Sequence, residues 1–385
     1  MTSSTTSPAT EPLTAPPGLK GVIVADTAVG AVRGADGFFH YRQHDAAALA
    51  RSRSLEAVIG VVLDNGDPGS DPAPLRRRLG TLREIDSAVG ATVDLLAGAG
   101  HTPMAVLRAV MGVAIDPRPS LDLSSDERRA AVEQAIGLTP TVLARAHRVA
   151  AGLTPIGPDP ELGHAADWVR MATGVRADGW DQRAIETYLA LTVDHGFNAS
   201  TFTARVVTST GADVGGALSS ALAALSGPLH GGAPSRVLDM LEAIGDPRNT
   251  TEWATRELEA GRKLMGFGHA VYRADDPRSE VLRDLAREHG TDLADRAEAI
   301  EARLLDLLRS RRPGATIVSN VEFWAAVTLH LAGLPQELFT PSFAVSRVIG
   351  WSAHLLEQAE VGKIFRPASR YVGEEPDRAG LSTSA

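Results

Sequence analysis

Two histidines in this chain lie inside glycine clusters. His230 sits in Ser226-Gly227-Pro228-Leu229-His230-Gly231-Gly232-Ala233, and His269 ends Met265-Gly266-Phe267-Gly268-His269. Glycines beside an imidazole let backbone and ligand approach the ring, and they cost stability unless that room is used. A lone carboxylate stands in Asn320-Val321-Glu322-Phe323-Trp324: Glu322 is the only formally charged side chain between Arg312 and Glu337. Burial raises a carboxylate's pKa towards values suited to proton abstraction. The competing reading is a glutamate satisfied by a helix N-terminus or an arginine. Two histidines and a carboxylate together make an acid/base set.

Arg347 is the mirror case, the only charged side chain between Glu337 and Glu357, inside the helical run Phe343–Trp351. A guanidinium in an apolar helix needs an anion. An internal salt bridge would satisfy it, and so would a bound carboxylate, whose two oxygens match its fork. Arg273 and Arg278 follow His269, the latter in Asp275-Asp276-Pro277-Arg278, a turn that aims it back towards that histidine. Arg366 lies in Lys363-Ile364-Phe365-Arg366-Pro367. Arginines near candidate catalytic histidines in an acidic protein suggest an anionic substrate, although single arginines are more often solvated surface charges. His195, beside Asn198 and Thr201, reads as a structural histidine or a further site residue.

The elements that hold these residues are mainly helical. Met1 to about Pro17 is rich in Ser, Thr, Pro and Ala and reads as a disordered tail. The runs Val22–Ala25, Ala31–Arg33 and Phe38–Tyr41 read as short strands around a turn. After Asp45 the apolar spacing is helical, punctuated by Pro, Gly and Asp. The fold class is all-α with a small N-terminal β element. Residues 215–226 are almost wholly Gly, Ala, Ser and Leu, a composition for close helix packing within one subunit or at a subunit interface.

With 385 residues the chain is long enough for two packed domains. The net charge of -9 argues against nucleic-acid binding. The absence of cysteine excludes disulfides, thiolate metal sites and cysteine nucleophiles, and it fits a cytoplasmic location. No apolar run spans a bilayer, and the N-terminus lacks a signal peptide's basic start and apolar core. Phosphate-binding glycine loops, His-Glu-x-x-His, a nucleophile elbow and metal-spaced histidine pairs are all missing, so no metal is expected.

From about Gly18 to Gly373 the chain resembles citrate synthase. The resemblance rests on an ordered series: His101-Thr102-Pro103-Met104, Asn198-Ala199-Ser200-Thr201, Gly227 to Ala233, Gly266-Phe267-Gly268-His269, Asp276-Pro277-Arg278, Asn320-Val321-Glu322-Phe323, Arg366-Pro367 and Tyr371-Val372-Gly373. It implies a homodimer of two-domain subunits, with a large domain at 18–242 and 343–373, a small domain at 243–342, and a C-terminal tail at 374–385. It also implies condensation of acetyl-CoA with oxaloacetate, the CoA thioester being a substrate with no further cofactor. Carried over residue by residue, Glu322 removes the α-proton, His230 holds the thioester oxygen, and His269 polarises the oxaloacetate carbonyl. His195, Arg278 and Arg347 bind carboxylates, Arg366 does so from the partner subunit, and Arg273 contacts a CoA phosphate.

Two positions depart from the family's usual pattern. Glu322 stands where aspartate is usual, and Thr192 where many members have histidine. The short N-terminus favours a simple dimer over the hexameric, NADH-regulated type. The alternatives are a 2-methylcitrate synthase using propionyl-CoA, one methylene away, and a weakly catalytic paralogue that binds CoA or oxaloacetate.

Overall fold

The computed structural model describes residues 13–227, 230, 234–268, 272 and 274–374. Within them a three-stranded antiparallel sheet precedes sixteen α-helices, and the fold is all-α. Thr27–Lys363 forms one compact unit, and the described parts of Met1–Asp26 and Ile364–Ala385 form another. The second unit has two successive turns, closed by the Leu19 N–H to Pro16 O (3.0 Å) and the Val22 N–H to Leu19 O (3.0 Å), and within it the Arg370 guanidinium donates to Thr14 Oγ1 (2.7 Å).

The sheet is smaller than the sequence suggests. Strands β1 (Gly30–Arg33), β2 (Phe38–Tyr41) and β3 (His44–Asp45) pair in that order, with Val32 opposite Phe39 and His40 opposite Asp45. Val22–Ala25 is not a strand. Its β-branched residues find no pairing neighbour, and Ile23 is 86% exposed. Pattern without a partner does not make a strand.

The first helices are α1 (Ala46–Ser52), α2 (Leu55–Asp64), α3 (Ala73–Leu82), α4 (Ser87–Gly98) and α5 (Pro103–Ala114). Most begin at a side-chain cap. Asp45, Ser54, Asp86 and Thr102 each accept a backbone N–H two or three residues into the first turn. The long α6 (Ser125–Ala150) starts in a full capping box between Ser124 and Glu127, and buried Pro140 removes one of its internal donors. It is the axis of the core, packed by α3, α4, α5, α7 (His164–Thr173) and α16 (Phe339–Val361).

Helices α8 (Gly179–Leu191), α9 (Ala199–Thr208) and α10 (Val214–Leu225) come next. Small residues let α10 press against α5 and α9: a Cβ on Gly215 would meet Met111 O at 2.4 Å. Then follow α11 (Pro234–Ile244), α12 (Thr250–Glu259), α13 (Pro277–His289), α14 (Asp292–Arg311) and α15 (Val321–Leu331). Helices α8, α13 and α15 pack against one another, and α16 packs on α8 and α9. The site is built where these five meet.

Candidate active site

Arg347 occupies the buried middle of α16, 2% exposed. Its neighbour Gly350 explains the placement. A Cβ there would lie 2.1 Å from Val193 O, so only glycine lets the helix touch the segment after α8. That contact brings Thr192 O within 3.0 Å of Arg347 Nε, which donates to it, and the Phe343 ring lies 4.6 Å from the guanidinium carbon. Among the described residues no carboxylate pairs with Arg347, so the salt-bridge reading fails. Burial, then the neighbouring Arg278 charge, lowers its pKa to about 10.

Arg278 enters from the first turn of α13. Pro277 opens that helix, and Asp276 caps it by accepting the Arg278 N–H (3.0 Å). The same carboxylate grips the guanidinium, taking Nε (3.0 Å) on Oδ1 and Nη2 (2.8 Å) on Oδ2. Both side chains are buried. Burial would lower the arginine's pKa, but Asp276 outweighs it and the net shift is upwards.

Glu322 lies in the first turn of α15, where Asn320 Oδ1 caps its backbone N–H (3.0 Å). The glycine loop 266–268 straps onto that start. The Asn320 N–H donates to Gly266 O (2.9 Å), the Gly268 N–H to Val318 O (2.9 Å), and Asn320 Nδ2 to Gly268 O (3.1 Å). Gly266 holds φ +82°, and a Cβ on it would meet the Phe323 Cβ at 2.8 Å. The room left by glycine is therefore used by α15. The helix-cap reading of Glu322 holds for its backbone only. Its carboxyl is pushed up to about 7 by burial, against the opposing pull of Arg278, while Asp276 adds to the rise.

His230 is held from below by Ser200, whose Oγ lies 2.8 Å from Nε2 and 2.7 Å from Asn198 Oδ1. Asn198 Oδ1 also accepts the Ser200 and Thr201 N–H groups as the cap of α9. The one hydroxyl proton therefore goes either to Asn198 or to the ring. When it goes to the ring, Nε2 accepts and the neutral imidazole carries its proton on Nδ1. Burial, helped by the Arg347 charge, lowers the His230 pKa to about 4, so the ring is neutral at pH 7. His195 packs between Phe39 and Tyr272 at centroid distances of 5.9 and 5.5 Å, with Nε2 3.1 Å from Tyr272 Oη.

One cavity of about 150 Å³ gathers these groups: His195, His230, Arg278, Glu322 and Arg347 line it with Asn198, Thr192, Phe343 and Tyr188. Two buried cations, a neutral imidazole and a raised carboxyl can bind a small dianion and move a proton beside it. The Thr192 hydroxyl donates to Tyr188 O (2.9 Å). Glu322 and Asn320 also border a second groove lined by Arg262, Lys263, Phe267, Arg311 and Arg312. His269 and Arg273 lie outside the described residues. Arg366 is exposed in the terminal unit. No histidine and carboxylate group among the described residues could hold a metal ion.

Sequence reasoning missed Asp276, Ser200, Phe343 and Tyr272. Asp276 carried a signal, an acidic residue just before Pro-Arg at a helix start. Phe343 stands one turn before Arg347. Ser200 and Tyr272 act only through contacts 30 and 77 residues away in sequence.

The chain matches the sequence profile described as "Citrate synthase, C-terminal domain" over residues 18–368. It is 35% identical to the citrate synthase of Haloferax volcanii, covering 93% of this chain and 96% of that protein. It is equally 35% identical to the 2-methylcitrate synthase of Mycobacterium tuberculosis, covering 93% of this chain and 90% of that one. Among solved structures it resembles the Thermoplasma acidophilum citrate synthase in ternary complex with carboxymethyl coenzyme A and oxaloacetate, with a TM-score of 0.84, 25% identity, and 93% and 96% of the two chains covered. A helical fold, a cavity that pairs buried arginines with a raised carboxyl, and a match along nearly the whole chain agree: the chain belongs to the citrate synthase family.

Proposed function

We propose that this chain condenses acetyl-CoA with oxaloacetate and hydrolyses the resulting thioester to citrate and free CoA. One observation carries the reading: Glu322, with its pKa near 7, stands between a cavity walled by Arg278 and Arg347 and a groove edged by Arg262, Lys263, Arg311 and Arg312. The cavity suits a dicarboxylate and the groove suits the phosphates of CoA, so their shared carboxylate is where the thioester methyl would meet the ketone.

In this reading Glu322 takes a proton from the thioester methyl, and neutral His230 donates to the oxygen that gains charge. The enol carbon attacks the oxaloacetate ketone, whose oxygen takes a proton supplied by His269 and becomes the tertiary hydroxyl. Water then cleaves the thioester. Arg278, Arg347 and His195 hold carboxylates throughout, and Arg273 joins the phosphate contacts. Residues 243–342 would close over the remainder and keep water from the enol. No metal or redox group takes part, and the cysteine-free composition fits a reducing cytoplasm.

A homodimer belongs to this proposal, with Arg366 reaching the partner's cavity. Its support is a shallow surface between α5 and α10, lined by Ala105, Arg108, Gly112, Val113, Ser219 and Ala223. Val113 there is 73% exposed, beside the small residues Ala105, Gly112, Ser219 and Ala223.

Propionyl-CoA is the second reading, supported by the 35% identity to a 2-methylcitrate synthase. One methylene is worth about 1–3 kcal/mol, so the choice belongs to kinetics. Release of CoA thiol from oxaloacetate with each thioester, followed by a thiol-reactive dye, decides it, since the protein has no cysteine to react. A higher kcat/KM with acetyl-CoA supports citrate formation, and a higher value with propionyl-CoA supports 2-methylcitrate. Oxaloacetate binding without turnover of either would make the chain a binding paralogue.

A further inference from the structure

We propose that Asp276 is a positioning residue that ties capture of the dicarboxylate to placement of the general base. One buried carboxylate holds both Arg278 and the first turn of the helix that carries Glu322. The inference rests on the function proposed above and adds a residue that the chemistry itself does not name.

Asp276 is 0% exposed. Its Oδ1 accepts the Arg278 N–H and Nε, as an ordinary cap with an arginine beside it would. Its Oδ2 does something a cap does not require. Besides Arg278 Nη2 at 2.8 Å, it accepts the Val321 N–H at 3.1 Å, 45 residues away. Val321 is the residue immediately before Glu322, and its N–H is one of the donors a helix start leaves without an internal partner.

The first two donors of α15 are thus divided. Asn320 takes the Glu322 N–H locally, and Asp276 takes the Val321 N–H from across the site. Ser279, in the same first turn of α13, adds a bond to Asn320 O (3.3 Å). The start of α13 and the start of α15 are therefore fixed to each other through two side chains, Asp276 and Ser279.

The consequence is mechanical and electrostatic. A carboxylate ligand that draws on Arg278 competes with Asp276 for the same cation, and any movement of Asp276 is passed to the backbone of Val321. About 1 Å at Glu322 changes the rate of proton abstraction. The charged groups nearest Glu322 are Arg278, which favours its ionised form, and Asp276, which disfavours it. Arg347, His195 and His230 line the same cavity.

Two substitutions in the full-length protein test this. Asp276→Asn keeps size and one acceptor but loses the charge and the bidentate grip. It should lower kcat and raise KM for oxaloacetate, each by tenfold or more, and shift the acid limb of the kcat/KM profile to lower pH. A residue with only a folding role would lower Tm and the active fraction, leaving KM and the limb in place, and that result would overturn the proposal.

Val321→Pro covers the case in which the first variant does not fold. Proline is well tolerated at the first helical position, and Asn320 already has the extended backbone (φ -100°, ψ 173°) that a following proline requires. It deletes the donor to Asp276 and also changes a side chain that borders the cavity, a second effect that Val321→Ala isolates. A kcat lowered about tenfold with KM for oxaloacetate within twofold of wild type supports the tie, provided that Val321→Ala, which retains the N–H, stays near wild type. Wild-type kcat in the proline variant, or an equal loss in the alanine variant, would overturn it. Inactivity of the unsubstituted protein would instead defeat the proposed reaction.

Discussion

At the scale of single residues, two buried charges in the cavity have opposite requirements. Glu322 is a carboxyl whose burial raises its pKa to about 7 from the ordinary 4.5. A base must be ionised to work, so kcat/KM should rise with pH through an apparent pKa near 7 and level off above it. A profile flat from pH 5 to 8 would remove Glu322 from that role. The same shift has a stability sign. The folded state holds this proton more tightly than the unfolded chain, so the cost of ionised Glu322 is absent below pH 4.5 and complete above pH 7. Glu322→Gln should therefore be more stable than the parent at pH 8, by at most about 3 kcal/mol, with the difference vanishing near pH 4.5; thermal melts at the two pH values check it. Among the described residues Arg347 is buried with no carboxylate at ion-pair distance, and only the more distant Asp194 charge supports it. Arg347→Leu should weaken oxaloacetate binding by about 2–5 kcal/mol, on the order of 30-fold or more, while Tm stays level or rises because an unpaired buried charge is gone. Unchanged affinity by calorimetry would return Arg347 to a structural role.

At the scale of elements, glycine contacts and helix caps set where the reactive groups stand. Gly350 permits the touch between α16 and Val193 that places Arg347 against Thr192. Gly350→Ala should cost about 1–3 kcal/mol and raise KM for oxaloacetate more than it lowers kcat, as steady-state kinetics and melts would show; a neutral substitution would mean the contact is slack. The sequence made parts of this visible. Isolated charges in apolar runs exposed Glu322 and Arg347, glycine clusters marked the 266–268 loop, and helical spacing after Asp45 anticipated the helices. The hidden parts have a common cause. Periodicity reports which face of an element is apolar, not which distant element covers it. Val22–Ala25 looked like a strand because its composition is β-prone, yet pairing requires a neighbour. Asp276 is an N-cap in sequence, and only its bond to Val321 gives it a second task.

At the scale of the whole molecule, the site groups come from five helices spread over residues 179–361, which a single core must bring into register. Residues 27–363 form that body, and Arg366 belongs to the other unit. If Arg366 serves a partner's cavity, mixing inactive Arg366→Ala with inactive Glu322→Gln subunits should regenerate up to about one intact site per heterodimer, seen as recovered CoA release. No recovery in verified heterodimers would place Arg366 in its own subunit's chemistry or outside the reaction.

The central claim is that Glu322 is a proton-abstracting base in a cavity whose binding groups are separate from it. Single-turnover CoA release by Glu322→Gln, with oxaloacetate affinity measured on the same preparation, addresses that most directly. The expected result is oxaloacetate binding within about threefold of the parent and turnover reduced by roughly 10²–10⁴. Retention of most turnover, or loss of binding together with activity, would contradict it.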